Sequence, residues 1–223
     1  MQYAVKILMN SFYGVFASGL YRFTHKDLGS SITAWARHNI KAIIQKLDEE
    51  GHHVVYSDTD SIFVRSPVAE GSPSVLREDD GQEIIDAYEA AKQAMIDFGL
   101  EVAQRYSKDS AVLEYEKGLS VFFSHGAKKR YVGQVVYPNE EMLIRGYETQ
   151  RTDSFEYLTT AMKQTFQYAL TDDGDALIQH ALETVAAVKK HEVPARRLIL
   201  AKSCKGRVDS NGVVEFTKDY ARP

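Results

Sequence analysis

The sequence predicts an α+β fold, and three patterns along the chain support that class. Apolar residues recur at three- and four-residue steps in long segments, which is typical of helices that bury one face. Shorter segments rich in Val, Ile, Phe and Tyr read as strands. Only residues 58–60 separate two of these strands, so they are predicted to form a tight hairpin. The first part of the chain therefore reads as α+β, and a smaller, mainly helical part follows it, joined near residues 124–130.

The predicted helices are justified by spacing and by their end signals. Residues 3–16 begin as a helix that a Tyr-Gly pair is expected to break. A second helix runs from a cap at Ser30 or Ser31 to about Glu50, where Gly51 ends it. Trp35 on that helix is expected in the core. Three further helices are predicted over residues 83–105, 154–170 and 175–190.

The predicted strands are short and rich in β-branched and aromatic residues. Two of them flank the hairpin turn, and a Pro- and Gly-containing loop over residues 66–82 follows them. An Asn-Gly pair at 211–212 predicts a second hairpin near the end of the chain. The predicted strands are 53–57, 61–65, 111–116, 119–124, 131–137, 142–145 and 198–201.

Composition excludes several classes of protein. The 223 residues are 44% apolar and 26% charged, which is the ordinary balance of a globular protein. The single cysteine, Cys204, excludes a disulfide framework and a cysteine-based zinc site. No apolar run reaches the length of a transmembrane helix, and the first residues lack the layout of a signal peptide. We therefore expect a soluble, intracellular protein without a membrane partner.

Charge is unevenly distributed along the chain. The net charge of −4 argues against a protein that wraps nucleic acid with a uniformly basic surface. Residues 189–207 nevertheless hold seven basic side chains against one acidic side chain, Glu192. This tract is open to two interpretations, a solvated helix surface or a phosphate-binding surface.

The sharpest chemical feature is the segment Tyr56-Ser-Asp58-Thr-Asp60-Ser61 at the predicted hairpin tip. A tight turn can bring two carboxylates together, and their mutual repulsion favours a cation between them. Aspartate oxygens suit Mg²⁺, which takes one or two protein carboxylates together with substrate phosphates. A lone Asp-x-Asp is more often a polar turn, and the apolar strands on both sides are what favour a site here.

A second group of candidate residues lies within the first predicted helix. Lys6 and Asn10 are four residues apart and share one face. Lysine is a point-charge partner for phosphate, and Tyr13 offers a ring for stacking. Gly14 leaves room for a closely approaching group. Taken alone, the segment is better explained by a surface lysine, an asparagine that caps the helix end and a turn.

Together the two segments are more specific. Lys6-Ile-Leu-Met-Asn10-Ser11-Phe-Tyr13-Gly14, followed about forty residues later by Tyr56-Ser-Asp58-Thr-Asp60-Ser61, resembles motifs B and C of the family-B DNA polymerases. The resemblance extends over nearly the whole chain. It implies an antiparallel palm sheet with helices on one face, followed by a partial, mainly helical thumb. The implied divisions are the end of a fingers helix at 1–25, palm at 26–127 and thumb at 128–223.

The resemblance also implies roles for particular residues. Asp60 would be the main metal ligand of motif C, with Asp58 and Glu116 as further metal-binding carboxylates in a two-metal Mg²⁺ site. Incoming dNTP would meet the motif B face and the hairpin turn. Primer–template DNA would be held by a Lys-Lys-x-Tyr motif and by the stretch that opens the thumb, where Thr152 replaces an arginine usual in the family. The implied nucleotide-binding residues are Lys6, Asn10, Ser11, Tyr13, Gly14 and Thr59, and the DNA-binding residues are Lys128, Lys129, Arg130, Tyr131, Arg145, Gly146, Glu148 and Arg151.

The family's motif A, an Asp-x-x-Ser-Leu-Tyr-Pro-Ser segment with another metal-binding aspartate, is not found in these 223 residues. The chain is similar to the small subunit of a split archaeal family-B polymerase. That resemblance implies a larger partner polypeptide with motif A, the exonuclease and most of the fingers. It also implies a cytoplasmic, nucleoid-associated enzyme that is inactive alone. An expression fragment of a longer polymerase is the other explanation.

Two rival functions are open at this stage. A non-catalytic DNA-binding remnant would keep the basic residues and lose the carboxylates, yet Asp58 and Asp60 are both present. A phosphatase with an aspartate nucleophile needs that residue at the end of a parallel strand, which the hairpin pattern disfavours.

Overall fold

The computed structural model describes residues 2–22, 24–69, 71–107, 112–150, 154–201, 206–208 and 210–216. Within them the fold is α+β, as predicted, and it divides into two compact units. The first unit comprises residues 1–71 and 93–115, and the second comprises residues 72–92 and 116–223. In this described part of the chain, no helix combines the length and the apolar character needed to cross a membrane.

The first unit holds two helices, a hairpin and the second half of a long helix. Helix α1 packs on helix α2, and α2 also contacts both hairpin strands. The two hairpin strands pair antiparallel, as predicted. The elements are α1 (Gln2–Ala17), α2 (Lys26–Glu49), β1 (Val54–Asp58), β2 (Ser61–Val64) and α3 (Gln82–Tyr106), the last shared with the second unit.

Packing in the first unit is dense around the end of α2 and sparse along α1. Leu47 near the end of α2 is fully buried, and Val102 and Ala103 of α3 are buried as well. Gly29 lets α2 approach α1 closely, because a Cβ there would lie 2.9 Å from the Cβ of Ala17. A methyl group at position 29 would therefore push the two helices apart.

The second unit is built on a three-stranded antiparallel sheet in the order β3-β4-β5. Helix α4 contacts β3 and β4 and forms a hairpin with α5, whose first turn is capped by the Asp173 carboxylate 3.0 Å from the Ala176 amide nitrogen. The second-unit elements are β3 (Gly118–Phe123), β4 (Tyr131–Tyr137), β5 (Glu141–Arg145), α4 (Glu156–Leu170), α5 (Gly174–Lys189), β6 (Gly206–Val208) and β7 (Val214–Phe216).

The core of the second unit lies between the sheet and helix α4. At its centre are five buried side chains, with Val121, Met142 and Met162 packed around them. Burial of apolar area on this scale is the main stabilising contribution available to the unit. The five central residues are Val132, Ile144, Tyr147, Phe166 and Leu170.

The predicted end of α1 and the predicted start of α2 need correction. Helix α1 does not break at the Tyr-Gly pair but continues through Gly14 to Ala17. A glycine inside a helix costs only about 1 kcal/mol, so the remaining residues carry the helix through it. Helix α2 begins at Lys26 after an extended His25, so Ser30 and Ser31 lie inside the helix and cap nothing.

Two predicted strands are wrong, and so is the burial of Trp35. Residues 112–116 form no strand, because the Leu113 backbone bonds to the Ser107 hydroxyl on both its amide and its carbonyl side. The predicted strand at 198–201 is preceded by a 3-10 turn at Ala195–Leu198, and residues 199–201 have no regular structure. Trp35 is 63% exposed and is not a core residue of this chain.

Candidate functional site

Two aspartates flank the turn of the β1–β2 hairpin. Asp58 ends β1 and lies opposite Ser61 in the strand register, with Thr59 and Asp60 forming the turn between them. The Asp60 amide donates to the Asp58 carbonyl oxygen at 2.7 Å, and the Ser61 hydroxyl donates to the same oxygen at 3.0 Å. These bonds hold Asp58 and Asp60 at the two sides of one tight turn.

Thr59 gives this turn its shape and also contacts one carboxylate. Its φ of 57° lies in the left-handed region, which a β-branched residue rarely adopts. Its hydroxyl donates to Asp58 Oδ1 at 3.1 Å. Because the strained residue and a candidate metal ligand are joined by this bond, Thr59 helps to orient the Asp58 carboxylate.

The two hairpin carboxylates are the side chains predicted to bind magnesium. Asp58 is half-buried and Asp60 is exposed, so both offer hard oxygen donors near solvent. Among the described residues no group of three or more His, Cys, Asp or Glu side chains is disposed to hold a metal ion. Two carboxylates suit Mg²⁺, which needs few protein ligands when substrate phosphates supply others. The donor set therefore fits the ion in type, and its role as a metal site stays a prediction.

Glu116 belongs to the second unit, two residues before β3, and its side chain is exposed. The sequence predicted that it lies on a strand, and this is wrong because residues 112–117 have no regular structure. Its role as a metal ligand stays a prediction.

Helix α1 presents the motif B residues on an exposed surface. Lys6 and Asn10 are one turn apart, and Tyr13 follows on the same side of the helix with 43% of its surface exposed. No atom lies within 4 Å of a Cβ placed on Gly14, so the surface there is open to an approaching group. Ser11 differs from the others, because its hydroxyl donates back to the Ile7 carbonyl at 2.8 Å.

The basic residues lie in the turn that leads into β4. Lys128 and Lys129 are exposed, and Lys129 has a left-handed φ of 63°. The Arg130 guanidinium is 3.4 Å from Glu148 Oε1. Tyr131 is only 9% exposed, and its ring centre lies 5.6 Å from that of Phe122. Lys128, Lys129 and Arg130 therefore form one basic turn, which directly precedes the buried Tyr131.

The structure brings the second predicted DNA-binding segment beside the first. Arg145 ends β5 directly opposite Tyr131 in the strand register. Gly146 follows with a φ of 74°, and a Cβ there would overlap the Lys129 carbonyl oxygen. Arg145, Gly146 and Glu148 therefore adjoin the basic turn, and Arg151 lies outside the described residues.

Sequence reasoning missed Tyr147 as part of this arrangement. The residue is 7% exposed, and burial raises the pKa of its phenol above the ordinary value. The Arg130 guanidinium carbon lies 5.9 Å from its ring centre. The sequence signal for Tyr147 is its position between Gly146 and Glu148, because an aromatic ring inside a basic motif can pack against a guanidinium group.

Within the basic tract over residues 189–207, Arg197 has a described partner. Arg197 Nε donates to Glu156 Oε1 at 2.9 Å, and its guanidinium lies 5.4 Å from the Tyr157 ring centre. Lys202 and Lys205 lie outside the described residues. At Arg197, therefore, the charge serves packing between α4 and the segment after α5.

Comparison with known proteins shows which family this chain resembles. Over residues 1–211 the chain matches the family described as DNA polymerase family B. It is 28% identical over 204 residues to a DNA polymerase of Thermococcus gorgonarius, covering 89% of this chain and 23% of that protein. It is 30% identical over 205 residues to DNA polymerase II of Escherichia coli, covering 86% and 24%. For DNA polymerase 2 of Aeropyrum pernix the identity is 26% over 203 residues, covering 91% and 22%.

These matches show a polymerase region, and the chain belongs to DNA polymerase family B. The family predicted from the two sequence motifs is thereby confirmed. The chain spans about a quarter of the length of the curated relatives it matches.

Proposed function

We propose that this chain forms the part of a DNA-directed DNA polymerase that carries motif B, motif C and the basic DNA-holding turn. The reaction is transfer of a nucleotidyl group from dNTP to a primer 3′-hydroxyl, with pyrophosphate as the leaving group. The observation that carries the proposal is the Asp58-Thr59-Asp60 turn at the tip of an antiparallel hairpin, in a chain that the family matches over residues 1–211.

Asp60 and Asp58 are the residues of this chain that would hold Mg²⁺, and Glu116 is an accessory ligand in the proposal. When bound, two such ions neutralise charge on the attacking and leaving oxygens of the phosphoryl group. The protein's own contribution is positioning and electrostatic stabilisation. Thr59 fixes the Asp58 carboxylate through its 3.1 Å hydrogen bond, which supports a preorganised turn.

Helix α1 would bind the incoming nucleotide. Lys6 supplies a point charge for the triphosphate, and Asn10, on the same face, orders it by hydrogen bonding. Tyr13 and the open surface at Gly14 would line the nascent base pair. Ser11 in motif B and Thr59 in motif C are further nucleotide-binding residues in the proposal. The exposure of this face supports the proposal, because a nucleotide needs access to it.

The basic turn would hold primer–template DNA through its phosphates. Such contacts fix the register of the duplex and carry no sequence information. Lys128, Lys129 and Arg130 supply the cations in the proposal, and Tyr131 follows them at the start of β4. Arg145 and Arg151, which belong to the motif that opens the thumb, are further phosphate contacts in the proposal.

We further propose a larger partner polypeptide that supplies motif A, the exonuclease and most of the fingers. The family's motif A segment is not among these 223 residues. Helix α1 leaves large apolar side chains exposed, among them Leu8 at 58% and Met9 at 66%. An interface that continues a domain core buries roughly 2,000–5,000 Å² in total. The palm and thumb divisions at 26–127 and 128–223 and a nucleoid location belong to the same proposal.

Primer extension tests the proposal directly. Tagged chain is used to capture the larger polymerase polypeptide from an extract of its own cells, and the two are then separated and purified. Each is assayed with Mg²⁺, dNTPs and a labelled primer–template, alone and mixed. We expect extension only in the mixture, because motif C alone provides too few carboxylates. Extension by this chain alone would contradict the shared site, and a mixture that binds DNA without extending it would favour the DNA-binding remnant.

A further inference from the structure

Two segments that are distant in sequence meet at the end of the β4–β5 pair. Tyr131 lies opposite Arg145 in the register, so the residues that precede one strand adjoin the residues that follow the other. A Cβ at position 146 would overlap the Lys129 carbonyl oxygen and lie 2.9 Å from its carbonyl carbon. Only a residue without a side chain fits there, and the Lys129 backbone occupies the space that this leaves.

The same segment holds the next basic side chain. Arg130 Nη2 is 3.4 Å from Glu148 Oε1, and the guanidinium carbon is 5.9 Å from the Tyr147 ring centre. Tyr147 is fixed in turn by the core, with its ring centre 4.7 Å from that of Phe166. The contact with Glu148 uses one of the five N–H donors of the guanidinium. Arg130 is therefore oriented while 43% of its side chain stays exposed.

We propose that Gly146, Tyr147 and Glu148 form a seat that positions Lys129 and Arg130 for phosphate contacts, and that the three do not themselves bind DNA. The inference rests on the proposed DNA-binding role of the basic turn. Gly146 has no side chain to offer, and Tyr147 is buried. A carboxylate such as that of Glu148 repels phosphate unless a cation lies between them. Each residue is thus unsuited to bind DNA and well placed to hold a neighbour that can.

The seat acts through preorganisation. A non-glycine residue in the left-handed region is disfavoured, so Lys129 needs its surroundings to keep a φ of 63°. Side chains that are already ordered lose less conformational entropy when they bind. Without the seat, Lys129 and Arg130 would still be present, but they would have to be ordered by the DNA.

The first test compares Gly146→Ala with Gly126→Ala. Both glycines have left-handed φ angles, 74° and 85°, but a Cβ at position 126 meets nothing within 4 Å. The backbone strain is therefore matched, and only position 146 adds the clash with Lys129. Affinity for a labelled primer–template is measured by fluorescence anisotropy over a series of salt concentrations, with thermal unfolding as the folding check.

We expect Gly146→Ala to weaken binding and to reduce the salt slope by about one to two, the loss of one or two phosphate contacts. Gly126→Ala should keep the slope of the wild type. A folded Gly146→Ala variant with wild-type affinity and slope overturns the seat, and so does an equal loss in both variants.

The second test holds even if Gly146→Ala fails to fold. Glu148→Ala removes a negative charge beside the proposed DNA surface, which by charge alone would strengthen binding. The seat predicts the opposite sign, a several-fold loss, because Arg130 loses its partner. Glu140→Ala removes a carboxylate elsewhere in the same unit and should bind DNA at least as well as the wild type. Tighter binding by Glu148→Ala overturns the proposal.

A triple variant separates this inference from the proposed function. Lys128→Ala, Lys129→Ala and Arg130→Ala together should lower the salt slope by about two to three if the basic turn binds phosphate. An unchanged slope contradicts the DNA-binding role itself, and the seat with it. A lowered slope in the triple variant beside wild-type binding by Gly146→Ala and Glu148→Ala contradicts the seat alone.

Discussion

Two turns carry the proposed chemistry, and each contains a non-glycine residue with a left-handed backbone. In the hairpin turn, Thr59 at a φ of 57° lies among hydrogen bonds that join residues 58–61. In the basic turn, Lys129 at 63° is held by Gly146, which follows two further strands along the chain. The hydrogen bonds described at the hairpin turn are thus local, and the geometry of the basic turn depends on the core of the second unit.

The largest expected effect on stability comes from a substitution in the core that supports the basic turn. Phe166 is buried against the Tyr147 ring. Replacing it with alanine should lower the free energy of unfolding by about 3–5 kcal/mol, the usual loss for a large aromatic residue in a core. Phe12→Ala is the control, because Phe12 is 49% exposed and its removal should cost far less. Denaturant unfolding measures both, and equal losses would mean that α1 is as well packed as this core.

The sequence predicts the features that local sequence determines better than the features that depend on contacts elsewhere in the fold. The hairpin, helix α3 and strand β4 over residues 131–137 were predicted with nearly correct bounds, because turn chemistry and apolar periodicity are local properties. The strand expected at 111–116 is absent over residues 112–116, where the hydroxyl of Ser107, six residues before Leu113, bonds to the Leu113 backbone. Periodicity cannot reveal such a contact.

The sequence alone also does not predict the exposure of Trp35 or the contacts of the basic turn. Trp35 is apolar and lies on a helix, so the sequence alone favoured the core, yet it is 63% exposed. The candidate residues of the basic turn were identified by motif, but the role of Tyr147 was not. Its contact with Arg130 depends on how β4 and β5 pair, which the sequence of either strand does not fix.

A smaller effect is expected when the strain at Thr59 is removed. A left-handed backbone costs a non-glycine residue about 1–2 kcal/mol, and glycine brings back a chain-entropy cost of roughly 0.5–1 kcal/mol. Thr59→Gly should therefore leave stability unchanged or raise it by up to about 1.5 kcal/mol. In the active mixture it should slow extension, because Asp58 loses the hydroxyl that orients it.

Thermal unfolding and single-turnover extension measure the two effects of Thr59→Gly separately. A variant that is clearly less stable than the wild type would show that the hydroxyl bond outweighs the strain. Wild-type extension would show that Asp58 needs no orientation by Thr59.

The smallest effect concerns an exposed ion pair outside both turns. The Lys117 ammonium bonds to the Glu141 carboxylate and lowers the pKa of that group. A lowered pKa contributes stability at neutral pH that is lost as the pH falls through the folded-state value. Lys117→Met should thus be slightly less stable than the wild type at pH 7, and the difference should vanish once the pH falls below the lowered pKa of Glu141. A difference that persists in acid would point to packing by the lysine stem instead.

We propose that the two turns have separate roles, catalysis at the hairpin turn and DNA binding at the basic turn. The most direct test measures primer–template affinity and the extension rate at saturating DNA for Asp60→Asn and for the Lys128, Lys129 and Arg130 triple alanine variant, each mixed with the larger polypeptide. We predict that Asp60→Asn loses more than about tenfold in rate, over ~1.4 kcal/mol of barrier, at unchanged affinity. The triple variant should lose affinity and keep most of its rate. Loss of the same quantity in both variants would contradict the account.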